Sequence, residues 1–392
     1  MKVYESEAEK NTDIGDIEKY KKKQRYKKLI KFLIIGLVLS VGVALVVINR
    51  EVIFEPLRGI FSKVTTTTDD EAGFPVNMPS SKDYKFDRLS DGFALLTDTY
   101  LCSYDSEGTQ TFAIQHGYMN PLCSFNEKSV LIYDKGGMNF ALYSKTSEIY
   151  KKNAENEIIV TASIGQGGYA AVVTSGGQYP NTIYVYDGNG NRKYTCRYID
   201  EKVMQATISP DNRYVYITLV KSVNGDVITE VIKHEINGEE IWSTEISDSL
   251  SFDISVSDEN MIVITDEKIC HIDTENGDIS STYNYKGTLS DYDISAERES
   301  VFLFENSDKN ETVVVMDKEG GLTATRVYEE KIKDAEIVGG EILILTENEI
   351  RRYDTSFNEL SAENTEKGYV KTVRIDAGIL LMSGNNIDLK KV

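Results

Sequence analysis

The residues best able to perform chemistry in this sequence are three histidines and four cysteines. They are His116, His234 and His271, and Cys102, Cys123, Cys196 and Cys270. A catalytic triad or a zinc site needs such groups in a characteristic spacing or beside a suitable partner. The sequence contains no HExxH, CxxC or G-x-S-x-G segment. We therefore expect the histidines to be structural, and we nominate no catalytic, cofactor-binding or metal-binding residue.

Two glycine-containing segments resemble ligand-binding loops in part, but they lack residues that such loops need to hold a ligand. Asp187-Gly-Asn-Gly-Asn191 begins like a calcium loop, yet Arg192 replaces the expected glycine and Tyr198 replaces the bidentate glutamate. The segment 165–168, GQGG, has too few glycines for a phosphate loop, and no helical pattern follows it. We predict a hairpin turn at the first, a strand connection at the second, and no cofactor.

The charge of the chain excludes one class of partner. The 392 residues carry 63 acids against 43 bases, for a net charge of −20. A nucleic-acid binder needs a basic face, so nucleic acid is not an expected partner. One interpretation of the acidic excess is that it keeps a β-rich domain soluble. The alternative interpretation is a surface that attracts cations or a basic partner.

One apolar run is long enough to span a membrane. Residues 29–48, LIKFLIIGLVLSVGVALVVI, carry no charge after Lys31. About 20 helical residues cross the hydrocarbon core of a bilayer. A cleavable signal peptide is the alternative, with small residues at 42–44, but apolar residues continue beyond that site. We predict an uncleaved transmembrane helix over 29–50.

Flanking charge predicts the orientation of this helix. Residues 1–31 carry ten Lys or Arg residues, whereas the other flank offers Arg50, Arg58 and Lys63. The positive-inside rule then places the N-terminus in the cytoplasm and the rest outside. The predicted organisation is a disordered basic tail (1–28), the helix (29–50), a juxtamembrane segment and linker (51–73), and an extracytoplasmic domain (74–392). Within the juxtamembrane segment, residues 51–64 are amphipathic.

Small residues recur on one face of the predicted helix. Gly36, Ser40 and Ala44 are spaced by four residues. Such a stripe allows two membrane helices to approach closely, so a homodimer through this face is possible on sequence grounds. Small residues are also common in membrane helices that do not pair.

An apolar strand pattern repeats through the extracytoplasmic part. Each copy ends in Thr, Ser or an acid, and the copies end at Thr97, Asp134, Thr174, Thr218, Thr265, Glu305, Thr346 and Ser383. The intervals are 37, 40, 44, 47, 40, 41 and 37 residues. A strand precedes each copy, and a third strand, an Asp-to-Gly turn and a fourth strand follow. A period of about 40–45 residues is typical of a four-stranded propeller blade.

The sequence therefore predicts an all-β fold, a β-propeller of eight blades. Seven blades, or a series of β-sandwich domains, are the alternatives. The last copy has only three strands before the chain ends, and a closed ring leaves no bare edge. We expect residues 73–79, GFPVNMP, to supply its fourth strand.

The cysteines all fall in this predicted extracytoplasmic ring, where disulfides are permitted. Cys102 belongs to the third strand of the first blade and Cys123 to the first strand of the second. These two could approach each other, but free buried thiols are the favoured expectation.

Two segments resemble known propeller families. The segment 237–242, NGEEIW, resembles the repeat of quinoprotein-like propellers, and 209–214, SPDNRY, resembles a turn of WD40-like propellers. The sequence lacks the His and Trp-Asp signature of true WD40 repeats. Its single Trp, Trp242, falls on a predicted outer strand, so it does not supply the tryptophan on which quinone dehydrogenases stack their cofactor. The whole plan resembles a family of unknown function from Gram-positive bacteria, with one membrane helix and an outward propeller. That resemblance implies a fold and a location but no activity.

We expect a single-pass membrane protein whose propeller acts as a non-catalytic binding or scaffold module. Its partner would be a protein, peptide or glycan of unknown identity. The alternatives are an enzyme with its site in the central channel, and a transmembrane sensor that couples an outside ligand to the basic tail through helix pairing.

Overall fold

The computed structural model describes residues 73–236, 238–365 and 368–391. None of these residues belongs to a helix that could cross a bilayer. The predicted tail, transmembrane helix and amphipathic segment, and the dimer stripe of Gly36, Ser40 and Ala44, lie outside the described residues.

The described residues form eight four-stranded antiparallel sheets, which are the blades of a propeller. The prediction of eight blades is therefore confirmed. In the first four blades the strands are β2 (Lys85–Leu89), β3 (Gly92–Leu96), β4 (Tyr100–Tyr104) and β5 (Gln110–Gln115); β6 (Pro121–Phe125), β7 (Ser129–Asp134), β8 (Asn139–Ser144) and β9 (Glu148–Asn153); β10 (Ile158–Ile164), β11 (Ala170–Ser175), β12 (Asn181–Tyr186) and β13 (Arg192–Tyr198); β14 (Lys202–Ile208), β15 (Tyr214–Val223), β16 (Asp226–Glu235) and β17 (Glu240–Ser247).

The other four blades follow the same order. Their strands are β18 (Ser251–Val256), β19 (Asn260–Thr265), β20 (Lys268–Asp273) and β21 (Ile279–Asn284); β22 (Thr288–Ile294), β23 (Ser300–Glu305), β24 (Glu311–Met316) and β25 (Leu322–Tyr328); β26 (Ile332–Val338), β27 (Glu341–Thr346), β28 (Glu349–Asp354) and β29 (Glu359–Asn364); β30 (Lys371–Ile375), β31 (Gly378–Met382), β32 (Asn386–Lys390) and the early strand β1 (Val76–Asn77).

The apolar core lies between blades. On β11, Ala171 and Val173 pack into the cluster shared with blade 4, whereas Ala170 and Val172 pack into the cluster shared with blade 2. Each second strand is buried on both faces in this way, which explains its continuous apolar run. Eight such clusters join successive blades within the described residues.

Ring closure depends on β1, as the short last repeat predicted. Val76 pairs with Ile387 and Asn77 with Asn386, so β1 is the outer strand of blade 8. Val76 and Phe74 also pack into the cluster that joins blade 8 to blade 1. The N-terminal end of the ring domain therefore completes its C-terminal blade.

Where an Asp-to-Gly turn joins the third and fourth strands, it docks its blade on the preceding one. Gly277 has φ +81°, and a Cβ there would lie 2.7 Å from the ring of Trp242 on the outer strand of the preceding blade. The equivalent Gly108 has φ +84°, and its Cβ would lie 3.0 Å from the backbone of Gly73 and 3.1 Å from the ring of Phe74. Residues 73–74 thus take the place that an outer strand holds at other blade junctions.

Gly108→Ala should test this closure, because the new methyl would meet residues 73–74 as well as strain the backbone. Gly136 is the matched control, since its φ of +85° is similar but nothing lies within 4 Å of its Cβ position. We expect Gly136→Ala to lower the free energy of unfolding by about 1 kcal/mol and Gly108→Ala by about 3 kcal/mol. Urea titration measures both, and equal losses would contradict closure at this junction.

Candidate functional site

The first strand of each blade lines the central channel. First strands of neighbouring blades contact one another, as β2 contacts β6 and β30, and β26 contacts β22 and β30. A cavity of about 470 Å³ lies among the first strands of blades 1 to 6. Most of its lining atoms come from these rigid strands, so the positions of its polar groups are set by the blades themselves.

Acidic side chains converge on this channel from four blades. We call them the channel acids, and they are Asp87 on β2, Asp253 on β18, Asp291 and Asp293 on β22, and Asp334 and Glu336 on β26. Asp87, Asp253 and Asp293 line the cavity. None of these residues was predicted from the sequence as a site residue, so the acidic channel was not foreseen.

Several channel acids accept backbone hydrogen bonds from the next blade. Asp293 accepts from the N–H of Ile337 at 2.8 Å, and Glu336 accepts from the N–H of Arg374 at 2.8 Å. Asp334 accepts from both the N–H and the hydroxyl of Thr372, each at 2.7 Å. These carboxylates therefore hold the first strands of blades 6, 7 and 8 together around the channel.

Burial raises the pKa values of three of these channel acids, Asp291, Asp293 and Glu336. Burial raises the pKa of Asp293 to about 7 against the opposing effect of the Ile337 N–H, and Asp87 and Asp334 add to the increase. For Glu336, burial and then the charge of Asp293 raise the pKa to about 8. For Asp291, burial and then Asp334 raise the pKa to about 6. Because burial and then the neighbouring carboxylates disfavour the ionised form of these groups, this part of the channel binds protons near neutral pH.

One cation lies among these acids. Lys371 Nζ is 3.6 Å from Asp334 Oδ1. Burial acts to lower the pKa of Lys371, but the acids Asp334, Asp291, Asp87 and Asp293 together raise it. Lys371 therefore stays charged and offsets part of the negative potential of the channel.

Asp253 has a different environment on the other side of the channel. Its Oδ2 accepts a short hydrogen bond from the hydroxyl of Tyr292 on the neighbouring blade. Burial raises the pKa of Asp253, although the hydrogen bond from Tyr292 opposes the increase. A carboxyl with a raised pKa beside a phenol in a cavity is an arrangement that can transfer protons.

A β-bulge positions three of the channel acids. The first strands of blades 3 to 7 each show a register shift against their second strand, and the residue after the shift is Thr161, Gln205, Asp253, Asp291 or Asp334. A bulge moves one residue out of the alternation of a strand. Polar residues at this position, acidic in three successive blades, are the signal by which the channel could have been found in the sequence.

The histidines have structural positions. His116 is buried between blades 1 and 2, where its Nε2 lies 3.1 Å from the carbonyl oxygen of Thr97 and its Nδ1 accepts from the N–H of Tyr118. His234 and His271 lie on the third strands β16 and β20. His271 is fully buried, and burial followed by the nearby Arg298 lowers its pKa to about 4. The three histidines do not converge on one site.

All four cysteines are free thiols in the structure. Cys102 packs into the cluster of blades 8 and 1, whereas Cys123 packs into that of blades 1 and 2 and borders the channel cavity. Burial raises the pKa of Cys102 to about 11, and burial together with Asp87 raises that of Cys123 to about 12. A thiol with such a pKa is protonated at neutral pH and is a poor nucleophile.

The predicted hairpin turn at Asp187 is confirmed. Asp187 Oδ1 accepts from the backbone N–H groups of Asn189 and Asn191, at 2.9 and 2.8 Å. Burial acts to raise the pKa of Asp187, but these donors and Lys193 outweigh it and lower the pKa to about 2. Residues 165–168 connect β10 to β11, as predicted. In the part of the chain that the structure describes, no group of three or more His, Cys, Asp or Glu side chains is arranged to hold a metal ion.

A protein-family model, described as a family of unknown function (DUF5711), matches residues 65–389. The chain belongs to this family. Among solved structures, this DUF5711 chain is similar to BamB from Moraxella catarrhalis, with 12% identity and a TM-score of 0.51, over 80% of this chain and 100% of that one. It is also similar to the dihydro-heme d1 dehydrogenase NirN in complex with DHE, with 14% identity and a TM-score of 0.53, over 74% of this chain and 68% of that one.

These structural similarities establish the propeller fold and nothing further, because the sequence identities are low. A search of curated protein sequences finds no match.

The channel acids predict a pH-dependent stability. The native pKa values of Asp291, Asp293 and Glu336 lie above those of the unfolded chain, so the native state binds more protons and the free energy of unfolding falls as pH rises from about 5 to about 8. The double variant Asp293→Asn, Glu336→Gln keeps an oxygen acceptor for each N–H but does not titrate. We expect a flatter slope of the urea midpoint against pH in this variant.

Asp187→Asn is the control for that experiment. The carboxyl group of Asp187 has a lowered pKa, so it stays ionised throughout this pH range. Its replacement should shift stability without changing the slope between about pH 5 and 8. A double variant that retains the wild-type slope would show that the channel acids do not titrate as described.

Proposed function

We propose that this chain is a membrane-anchored, outward-facing β-propeller that acts as a non-catalytic binding or scaffold module. Support for the anchor comes from the apolar run 29–48 and its basic cytoplasmic flank. Support for binding comes from the surface of the ring, where exposed apolar side chains concentrate on one of its two faces.

The two faces of the ring differ in composition. The crown face consists of the turns between second and third strands, the connections between blades, and the strand ends beside them. Large apolar side chains are exposed there at Met119, Met138, Ile158, Ile199, Val223, Val227, Leu250, Phe252 and Val370. The other exposed large apolar side chains of the described residues lie on fourth strands around the circumference, at Ile149, Ile241, Ile279, Leu322, Val327 and Leu360.

The concentration of apolar surface on the crown face carries the proposal. Met119 is 95% exposed and Ile199 is 66% exposed. Exposed apolar groups on a rigid soluble domain mark surfaces that contact other molecules. Loops on a rigid scaffold are also where binding residues concentrate.

Labelling of intact cells tests the outward orientation. A Met119→Cys variant places a thiol at an exposed crown position, and Ser6→Cys places one in the predicted cytoplasmic tail. A membrane-impermeant maleimide should modify Met119→Cys in intact cells and Ser6→Cys only after permeabilisation. The unsubstituted chain reports background labelling of the native cysteines, and the reverse pattern of labelling would overturn the outward orientation.

The channel acids favour a second candidate function, an enzyme with its site in the channel. Asp253 with its partner Tyr292, and Asp293 with its raised pKa, lie in one cavity on different blades. Such a pair can serve as general acid and base.

Untargeted mass spectrometry separates the two candidates. The purified full-length protein and an Asp253→Asn, Asp293→Asn variant are incubated with an envelope extract of the native host. The binding module predicts identical extracts after both incubations. A compound consumed by the wild-type protein and spared by the variant would establish the enzyme.

A further inference from the structure

Blade 4 departs from the pattern of the other blades. Its second and third strands, β15 and β16, have ten residues each, whereas these strands elsewhere have five or six. The first strand pairs with β15 only as far as Lys202 opposite Val220, and the fourth strand pairs with β16 only from Ile228 opposite Ser247. Beyond these points β15 and β16 pair only with each other, as Ser222 does with Val227 and Val223 with Asp226, so residues 221–227 rise above the crown face.

The turn of this hairpin is well formed. Asn224 and Gly225 have φ values of +56° and +99°, and a two-residue Asn-Gly turn matches the twist of paired strands. At the base, Lys221 forms ion pairs with Glu230 at 3.1 Å and Glu245 at 2.6 Å. The hairpin is thus an ordered projection, and the ion pairs of Lys221 attach its base to the rest of blade 4.

Apolar side chains are exposed on both sides of this projection. We define the blade 4 crest as residues 221–227 with the flanking connections 199–201 and 248–252. Val223 lies on the side of the hairpin that faces blade 3, where Ile199 begins the connection from that blade. Val227 lies on the side that faces blade 5, where Leu250 and Phe252 are exposed.

The connection that carries Leu250 is held in place. The Thr229 hydroxyl donates to the carbonyl of Ser249 at 2.7 Å, and the N–H of Leu250 donates to Asp266 Oδ1 at 2.7 Å. The apolar side chains on the blade 5 side of the crest are therefore held on a fixed backbone, which lowers the entropic cost of binding a partner.

Exposed acids outnumber the exposed cation Lys202 around these apolar groups. Asp200, Asp226, Asp248, Asp266 and Glu267 are exposed on or beside the crest. The cation of the hairpin, Lys221, is already paired with two glutamates. An apolar surface with an acidic border attracts a positively charged ligand and repels an acidic one.

We propose that the blade 4 crest docks a basic protein segment that carries large apolar side chains. The apolar side chains of the partner would pack against the two sides of the crest, and its Lys or Arg side chains would contact the exposed acids beside the crest. This inference rests on the proposed binding function and names the surface and the chemistry of its partner.

Fluorescence anisotropy with defined peptides tests the proposal on the full-length protein in nanodiscs. The main probe is a pool of labelled 12-residue peptides that combine Lys or Arg with Leu, Ile or Phe. One control pool replaces the basic residues by Glu, and another replaces the apolar residues by Ser. We expect the basic apolar pool to bind more tightly than either control, with an affinity that falls as salt is raised.

Substitutions at the crest should separate its two components. Val227→Ser, Leu250→Ser should weaken binding at least about tenfold through loss of apolar contact. Asp200→Lys, Asp226→Lys should weaken binding and reduce its salt dependence. Leu360→Ser on the circumference and Glu319→Lys on the opposite face make matched changes elsewhere, and they should leave binding unchanged. Urea unfolding checks that each variant is folded.

Each other outcome contradicts the proposal in a recognisable way. Binding that is lost in the Leu360 or Glu319 variants and kept in the crest variants would retain a binding module but reject the crest. Equal binding of the control pools, or no binding of any pool, would reject the partner chemistry. A peptide of residues 51–64 that competes for the crest would identify this chain's own segment as the occupant. A dimer that crest substitutions dissociate in sedimentation analysis would identify a second copy.

Discussion

The structure depends on apolar packing between blades, since each blade buries its two faces only against its neighbours. The residues of a single strand, such as Ala170 to Val173, divide alternately between two clusters. A four-stranded sheet with both faces exposed would be unstable in water, so every blade requires a partner on each side. A ring satisfies that requirement for all blades at once, provided that the last blade meets the first. The strand β1 makes this possible, because Val76 pairs with blade 8 and packs toward blade 1.

The space between blades is apolar, so carboxylates lie elsewhere, for example at turns and in the channel. These two environments shift the pKa of a carboxyl group in opposite directions. Asp187 at a turn receives several N–H donors, so its ionised form is stabilised and its pKa falls. Asp293 in the channel is buried and faces other acids, so its pKa rises although it accepts the N–H of Ile337. The same residue type therefore stiffens a hairpin in one place and binds protons in the other.

The sequence predicted the repeat, the blade count and the role of residues 73–79, because these follow from periodicity and from the missing strand of the last copy. It did not reveal the acidic channel. Asp253, Asp291 and Asp334 follow bulges that break the simple alternation of a strand, so an alternating pattern does not mark them. Only a comparison of the same repeat position across successive blades shows that this position is polar in each of them. His116 and Asp187 were predicted to have structural roles, because no partner motif accompanied them. The hydrogen bonds of Asp187 are local turn bonds, so the Asp-to-Gly pattern is enough to predict them. The contact of His116 with the carbonyl oxygen of Thr97 joins two separate segments, and no local pattern shows it.

In a repeat protein, a departure from the repeat is more informative than the repeat itself. The two longest intervals between repeat copies meet at Thr218 in blade 4: the interval of 44 residues ends there, and the interval of 47 residues begins there. The ring does not need this additional length, since blades with strands of five or six residues close equally well. Residues 221–227 add surface without adding to the packing between blades, and they expose Val223 and Val227 to solvent. Exposed valines at the tip of an ordered hairpin contribute little to the stability of the ring, and their exposure supports the proposed contact with another molecule.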